Sequence, residues 1–149
     1  MRNLDLYNRI SIFLELYYQR TKLNDLGGFL GVASMISFID TNKSIVLEPR
    51  MVDICIWDDW LSVIGLKQLV QEPITIRYEQ YIEDTGKIEI AETNQLNYMF
   101  DFLKYIEQDW EYDWSQLFYD LENDFLTREE WEKSYLLLQE ILQQNKSII

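Results

Sequence analysis

The chain has 149 residues and a formal net charge of −13, from 13 Lys and Arg against 26 Asp and Glu. This charge argues against binding to nucleic acids or anionic membranes, because phosphate contacts need basic side chains, and it suits a basic partner protein. The sequence has no histidine and one cysteine, Cys55, so we expect no enzyme, no cofactor, no metal site and no internal disulfide.

The length predicts a single domain over residues 1–149, and the 48% of hydrophobic residues are enough to fill one core. The opening Met1-Arg2-Asn3-Leu4-Asp5 lacks the apolar run of a signal peptide. No apolar stretch reaches the roughly 18 residues needed to cross a bilayer. These features predict a cytoplasmic protein.

Two helices are predicted first. Residues Asn3 to Lys22 have the periodicity of an amphipathic helix, with Asn8 on its polar side. A second helix, from Leu23 to Ile36, contains Gly27, Gly28 and Gly31. Each glycine costs about 1 kcal/mol inside a helix. We therefore interpret the three as structural residues at a tight helix–helix contact rather than as a ligand site.

A turn at Asp40 to Lys43 and a short extended run from Ser44 to Leu47 precede a third predicted helix, Arg50 to Ile64. Pro49 is placed where a helix start tolerates its missing N–H, and Gly65 is placed to end the helix. Trp57 and Trp60 are predicted to be structural, and Cys55, with Ile54 and Ile56 beside it, is expected to be a buried and inert thiol.

The periodicity changes after Pro73. Apolar residues alternate with polar ones from Ile74 to Tyr78 and again from Lys87 to Ile90, with Gly86 in the loop between them. This alternation predicts a β-hairpin over Ile74–Ile90, in which the loop glycine supplies a positive φ. The alternative is that Tyr78 to Ile82 is helical.

The last third is predicted to be helical. Thr93 or Asn94 caps one helix, Ser115 starts a short one, and Thr127 to Glu130 form a capping box for the last. The predicted fold class is therefore α+β, a predominantly helical single domain with one small β-hairpin.

The segment from Glu107 to Asp124 has seven acids, no base and several aromatic residues. Aromatic anchors ringed by charge are typical of protein–protein hot spots. The predicted partner-binding residues are Asp109, Trp110, Glu111, Tyr112, Asp113, Trp114 and Asp120. The alternative is a solvated acidic face over core aromatics. The acids do not follow the order of a calcium-binding loop.

Three short motifs carry a resemblance to a known group of proteins: Phe13-Leu14-Glu15-Leu16-Tyr17-Tyr18, Asp25-Leu26-Gly27-Gly28-Phe29-Leu30-Gly31 and Trp57-Asp58-Asp59-Trp60-Leu61. They resemble motifs of small acidic bacterial proteins similar to the immunity proteins of polymorphic and contact-dependent growth inhibition toxins. The chain departs from that pattern at Glu48-Pro49, which stands eight positions before Trp57 instead of three.

The resemblance implies a cytoplasmic immunity protein that binds and neutralises a cognate toxin, expected to be a basic nuclease domain. It implies no catalytic residue. Together with the charge, it predicts that an acidic, aromatic-rich surface occludes the toxin's active site. The alternative is a non-catalytic adaptor or structural subunit that binds another basic protein. The oligomeric state stays open at this point.

Overall fold

The computed structural model describes residues 1–38, 45–47, 52–65 and 78–147. Within these ranges there are seven α-helices: α1 Asn3–Thr21, α2 Leu26–Ala33, α3 Ile54–Val63, α4 Tyr78–Thr85, α5 Gln95–Asp109, α6 Ser115–Asn123 and α7 Phe125–Ser147. A 3-10 turn, Glu92–Asn94, precedes α5. Strands β1 (Ile36–Phe38) and β2 (Ile45–Leu47) pair antiparallel, with Ile36 opposite Leu47. None of the helices within these ranges is long and apolar enough to cross a membrane.

The predicted α+β class is wrong, and the described part of the chain is all-α in class. The predicted hairpin over Ile74–Ile90 is not formed, because Tyr78–Thr85 is helix α4, as the alternative had it. Residues 66–77 lie outside the described part of the chain. Tyr81, Ile82 and Thr85 recur at helical spacing and turn toward α1 and α3. The two strands β1 and β2 lie outside the segment predicted as a hairpin. Each has only three residues, so the pair does not change the all-α class.

Helix α1 is the centre of the fold. Every residue from Asn3 to Leu14 is buried, because α2, α4, α7 and β1 all pack against this helix. From Asn3 to Leu14 the predicted polar side of an amphipathic helix is therefore absent, and Asn8 is buried, whereas Gln19 near the end of the helix is exposed as predicted. A helix is expected to be buried on all sides only when its whole surface is apolar. The polar residues of α1 therefore need hydrogen-bond partners inside the protein.

Arg9 shows how such a residue is accommodated. Its guanidinium donates to Ser134 Oγ at 3.2 Å, Gln95 Oε1 at 3.0 Å and the carbonyl oxygen of Trp131 at 2.9 Å. It also lies 3.7 Å from the centre of the Trp131 ring. Burial lowers the pKa of Arg9. This one side chain joins α1 to α5 and α7.

The start of α1 is attached to the segment that follows α4. The Asn3 N–H donates to the Ile88 carbonyl at 2.7 Å, and the Leu4 N–H donates to the Gly86 carbonyl at 3.1 Å. A Cβ at Gly86 would lie 2.6 Å from the Leu4 Cβ. Gly86 is therefore required for close approach to α1, and the predicted hairpin role with positive φ is wrong.

Only one of the three glycines of α2 lies at a tight helix contact. A Cβ at Gly27 would lie 2.6 Å from the Tyr18 hydroxyl oxygen on α1. A Cβ at Gly28 or Gly31 would meet no atom of another element within 4 Å, and both residues are exposed. The tight contact expected for all three is thus present at Gly27 and wrong for the other two. The helix is also shorter than the predicted Leu23 to Ile36.

Helix α3 buries the side that carries Trp57 and Trp60. Both rings lie against Tyr7 of α1, with centroids at 5.2 and 5.8 Å, in edge-to-face contact. Gly65 follows the helix with φ +82°, as expected for a residue that ends a helix. Cys55 is on the opposite side and exposed, so the prediction of a buried thiol is wrong.

The caps of α3 and α7 differ from the predicted ones. Asp53 Oδ1 accepts from the Cys55 N–H at 2.8 Å and caps α3. The predicted start at Pro49 and Arg50, like the predicted turn at Asp40 to Lys43, lies outside the described residues. The capping box from Thr127 to Glu130 is wrong, because α7 begins earlier, at Phe125. Asp124 accepts there from the Thr127 N–H and hydroxyl at 3.2 and 2.7 Å.

Candidate functional site

The acids and aromatics of residues 107–115 form a tight reversal of the chain between α5 and α6, which we call the acidic corner. Helix α5 ends at Asp109, and the Trp110 N–H still donates to the Ile106 carbonyl at 2.9 Å. Glu111 then has φ +59°, a left-handed conformation that is uncommon outside glycine. The Tyr112 N–H returns to the Glu107 carbonyl at 2.9 Å, which closes the turn.

Two of the acids hold the corner together. The Glu107 carboxylate accepts from the Trp114 N–H at 2.7 Å. Asp113 Oδ1 accepts from the Ser115 N–H at 3.1 Å and from the Ser115 hydroxyl at 2.7 Å. These bonds, led by the one from the hydroxyl, lower the pKa of Asp113. The neighbouring Asp109 and Glu111 are exposed to solvent.

The aromatic rings of the corner run from the core to the surface. Tyr112 stacks on Trp114 with centroids 5.1 Å apart, and Trp110 lies 6.2 Å from Tyr112. Phe29 of α2 meets Trp114 edge-on at 5.3 Å. Trp114 is 0% exposed and Trp110 is 36% exposed. The predicted role of Trp114 as a partner contact is wrong for the folded protein, whereas Trp110 is accessible.

Other elements add negative charge on this side of the molecule. Burial and then Asp25 raise the pKa of Tyr112, so the carboxylate of Asp25 lies close to the corner. The pKa of Tyr105 on α5 is also raised. The main cause is the charge of Asp59 on α3, and burial and the charge of Asp109 contribute less. Tyr105 is itself 39% exposed. The corner is thus the edge of an acidic face that draws on α2, α3 and α5.

The contributions of Asp25, Asp59 and Tyr105 were missed at the sequence level. Asp59 could have been predicted from its position in Trp57-Asp58-Asp59-Trp60. Because both tryptophans are buried, the two acids between them lie on the other side of the helix. Asp58 is engaged, since it accepts from the Tyr81 hydroxyl at 2.5 Å. No local pattern pointed to Asp25 or Tyr105, because they reach this face only through the packing of their helices.

Asp120 is half-buried and makes hydrogen bonds within the fold. Its carboxylate accepts from the Tyr17 hydroxyl of α1 at 2.7 Å and from the Gln116 amide at 2.8 Å. Burial, and next the bond to Asp120, raises the pKa of Tyr17. Asp120 thus joins α6 to α1, and its role in partner binding stays a prediction.

The acidic face has no arrangement suited to a metal ion. Among the residues that the structure describes, no group of three or more His, Cys, Asp or Glu side chains is placed to hold one. The sequence also has no Lys or Arg between Lys104 and Arg128. The negative charges of the corner therefore have no basic neighbour within this stretch of sequence. Such a negatively charged surface attracts positively charged ones.

No family model matches this chain, and neither the curated proteins nor the solved structures contain a match.

Proposed function

We propose that this chain is a cytoplasmic immunity protein that binds and neutralises a cognate bacterial toxin, with a basic nuclease domain as the target. The acidic corner is the observation that carries the proposal. It presents Trp110, whose ring lies tilted against Tyr112 with the centroids 6.2 Å apart, and the exposed carboxylates of Asp109, Glu111 and Asp113 on the same turn. A half-exposed aromatic ringed by charges of one sign is typical of the energetic centre of a protein–protein interface.

The proposed mechanism is occlusion without catalysis. The carboxylates take the places of the phosphates that a nuclease binds, and long-range attraction between the acidic face and the basic toxin speeds their encounter. Trp110 and Tyr105, both partly exposed, supply the apolar contact that slows dissociation. The acids thus govern association, and the aromatic side chains govern the lifetime of the complex.

The motifs that resemble immunity proteins support this proposal at the level of the fold. Tyr18 packs against Gly27, and Trp57 and Trp60 pack against Tyr7. These motif residues build the core, and two other residues of the same motifs, Asp25 and Phe29, lie next to the acidic corner. The motifs therefore form the scaffold on which the corner is held.

The proposal is tested by co-expression with the toxin domain encoded next to this chain, scored by growth and co-purification. The chain is expected to restore growth and to co-purify with the toxin. If the toxin stays active while the corner retains a different basic protein, the adaptor role is favoured instead.

The kinetics of the purified complex test the corner itself. We expect Asp109→Asn with Glu111→Gln to slow association about tenfold at low salt and to flatten its salt dependence. Trp110→Ala is expected to speed dissociation, at a cost of about 2 kcal/mol. The matched control is Glu79→Gln with Glu140→Gln, which removes the same charge from exposed positions on α4 and α7. Folded variants with unchanged rates would place the interface elsewhere.

A further inference from the structure

Helix α7 exposes an apolar stripe near its N-terminal end. Phe125, Leu126 and Leu136 are 71%, 50% and 62% exposed. They line a groove of about 680 Å³ together with charged side chains that include Glu129 and Lys133. The opposite side of the same helix buries Trp131, Leu138 and Ile141. Large apolar side chains that are exposed around one groove indicate an interaction surface.

The spacing along the stripe is that of a helix–helix seam. Leu126, Glu129, Lys133 and Leu136 are separated by three, four and three positions, which places all four on one line along the helix. Glu129 and Lys133 are exposed, like the two leucines. The order along the line is therefore apolar, acidic, basic, apolar.

We propose that a second copy of this chain docks on this stripe, with the two α7 helices antiparallel about a twofold axis level with residue 131. In that register, positions equally far from residue 131 face each other across the axis. Leu126 then faces the partner's Leu136, and Glu129 faces the partner's Lys133. These four positions are thus complementary to themselves in both apolar character and charge. The same register sets Glu130 of the groove opposite the partner's Glu132, and Glu130 is already paired with Arg20 at 2.8 Å.

Self-complementarity is the reason to choose a second copy as the occupant. A partner surface of one charge sign would leave either Glu129 or Lys133 against a like charge, which costs binding energy. The net charge of −13 on each copy opposes the contact. The dimer is accordingly expected to form in a concentration-dependent way.

The register is tested by charge reversal, with mass measured by sedimentation over a wide range of concentration. Glu129→Lys alone sets Lys against Lys, and Lys133→Glu alone sets Glu against Glu. Each is expected to raise the dissociation constant of the dimer at least about tenfold. An equal mixture of the two variants pairs opposite charges at both positions and is expected to associate as a heterodimer.

The apolar part is tested by Leu126→Glu and Leu136→Glu, which are expected to give monomers with unchanged thermal melts. Tyr119→Glu is the control, because Tyr119 is 63% exposed on α6 and should not affect the mass. A wild-type chain that stays monomeric at every concentration would overturn the proposal. So would a dimer that tolerates either single reversal, or a mixture that fails to associate.

Discussion

Two tryptophans four positions apart in the acidic corner have opposite environments. Trp114 is fully buried against Phe29, whereas Trp110 is partly exposed beyond Tyr112. Trp114→Ala should cost about 3–5 kcal/mol of unfolding free energy as a large-to-small core substitution. Trp110→Ala should cost less than about 1 kcal/mol. Chemical denaturation of the two variants measures both changes in unfolding free energy. Equal changes would show that Trp110 and Trp114 are buried to the same extent.

Glu111 has the left-handed backbone that closes the corner, with φ +59°. Glycine adopts this conformation without the steric penalty of a Cβ. Glu111→Gly is therefore expected to be more stable than Glu111→Ala by about 1 kcal/mol, measured by chemical denaturation.

The matched control is the same pair of substitutions at Glu122, which is exposed within helix α6. There the order should reverse, because glycine is less stable than alanine in a helix by about 1 kcal/mol. The same order at both positions would contradict the left-handed turn at Glu111.

Cys55 is exposed at the start of α3, and Asp53, which caps that helix, raises the pKa of its thiol. A thiol reagent should therefore label one cysteine per chain in the native protein, at a rate that still rises above the usual thiol pKa. Asp53→Asn keeps a capping side chain but removes the charge. It should speed labelling at neutral pH, and an unchanged rate would show that Asp53 does not act on the thiol.

At the scale of elements, the junction of α6 and α7 depends on one carboxylate. Asp124 accepts from Thr127 and pairs with Arg20 of α1 at 3.4 Å. The hydrogen bond from the Thr127 hydroxyl is the main reason that the pKa of Asp124 is lowered. A carboxyl group with a lowered pKa in the folded state stabilises the protein above its ordinary pKa. That contribution is lost as the pH falls through the folded-state value.

Asp124→Asn retains a capping side chain but cannot titrate. The wild type is expected to melt at a higher temperature than this variant at pH 7, and the difference should shrink below about pH 4. Thermal melts across this pH range measure the difference. A difference in melting temperature that stays constant with pH would show that the charge of Asp124 does not contribute to stability.

Local patterns predicted much of the helical structure. The helix predicted from Asn3 to Lys22 is observed as Asn3–Thr21, and α6 starts at the predicted Ser115. The strand Ile45–Leu47 lies within the predicted extended run. These features depend on neighbours along the chain, such as the polar residue that starts a helix or the residues that interrupt its apolar stripe.

The features that were not predicted depend on contacts between distant residues. Alternating apolar residues favoured a strand near Tyr78, but the segment forms helix α4, which packs on α1 and α3 and places Thr85 where it accepts from the Trp57 indole at 2.9 Å. Burial of Asn8 and Arg9 follows from the packing of α7 on α1. In the corner, both Trp110 and Trp114 stand next to acidic residues, so the sequence does not distinguish them. The chain reverses at Glu111 between them, which places Trp114 in the core and Trp110 at the surface.

At the scale of the whole molecule, the net charge of −13 is a source of self-repulsion. The ion pairs in the described part of the chain, such as Arg2 with Glu83, are largely at the surface and contribute little. Raising NaCl from about 20 to about 500 mM shortens the Debye length from about 20 to about 4 Å. The melting temperature should therefore rise by a few degrees, and a fall would show that the ion pairs outweigh the repulsion.

The central position of α1 has a consequence for how the protein is made. Its principal cover is α7, which leaves the ribosome after it and ends at Ser147, whereas α1 ends at Thr21. At roughly 5–20 residues per second, α1 waits about 6–25 s for that cover during synthesis. Throughout this interval a helix that is apolar on several sides is open to chaperones and to other nascent chains. The synthesis of α7 thus sets the earliest time at which α1 can be fully covered, and a chain that ends before α7 is expected to leave part of α1 exposed.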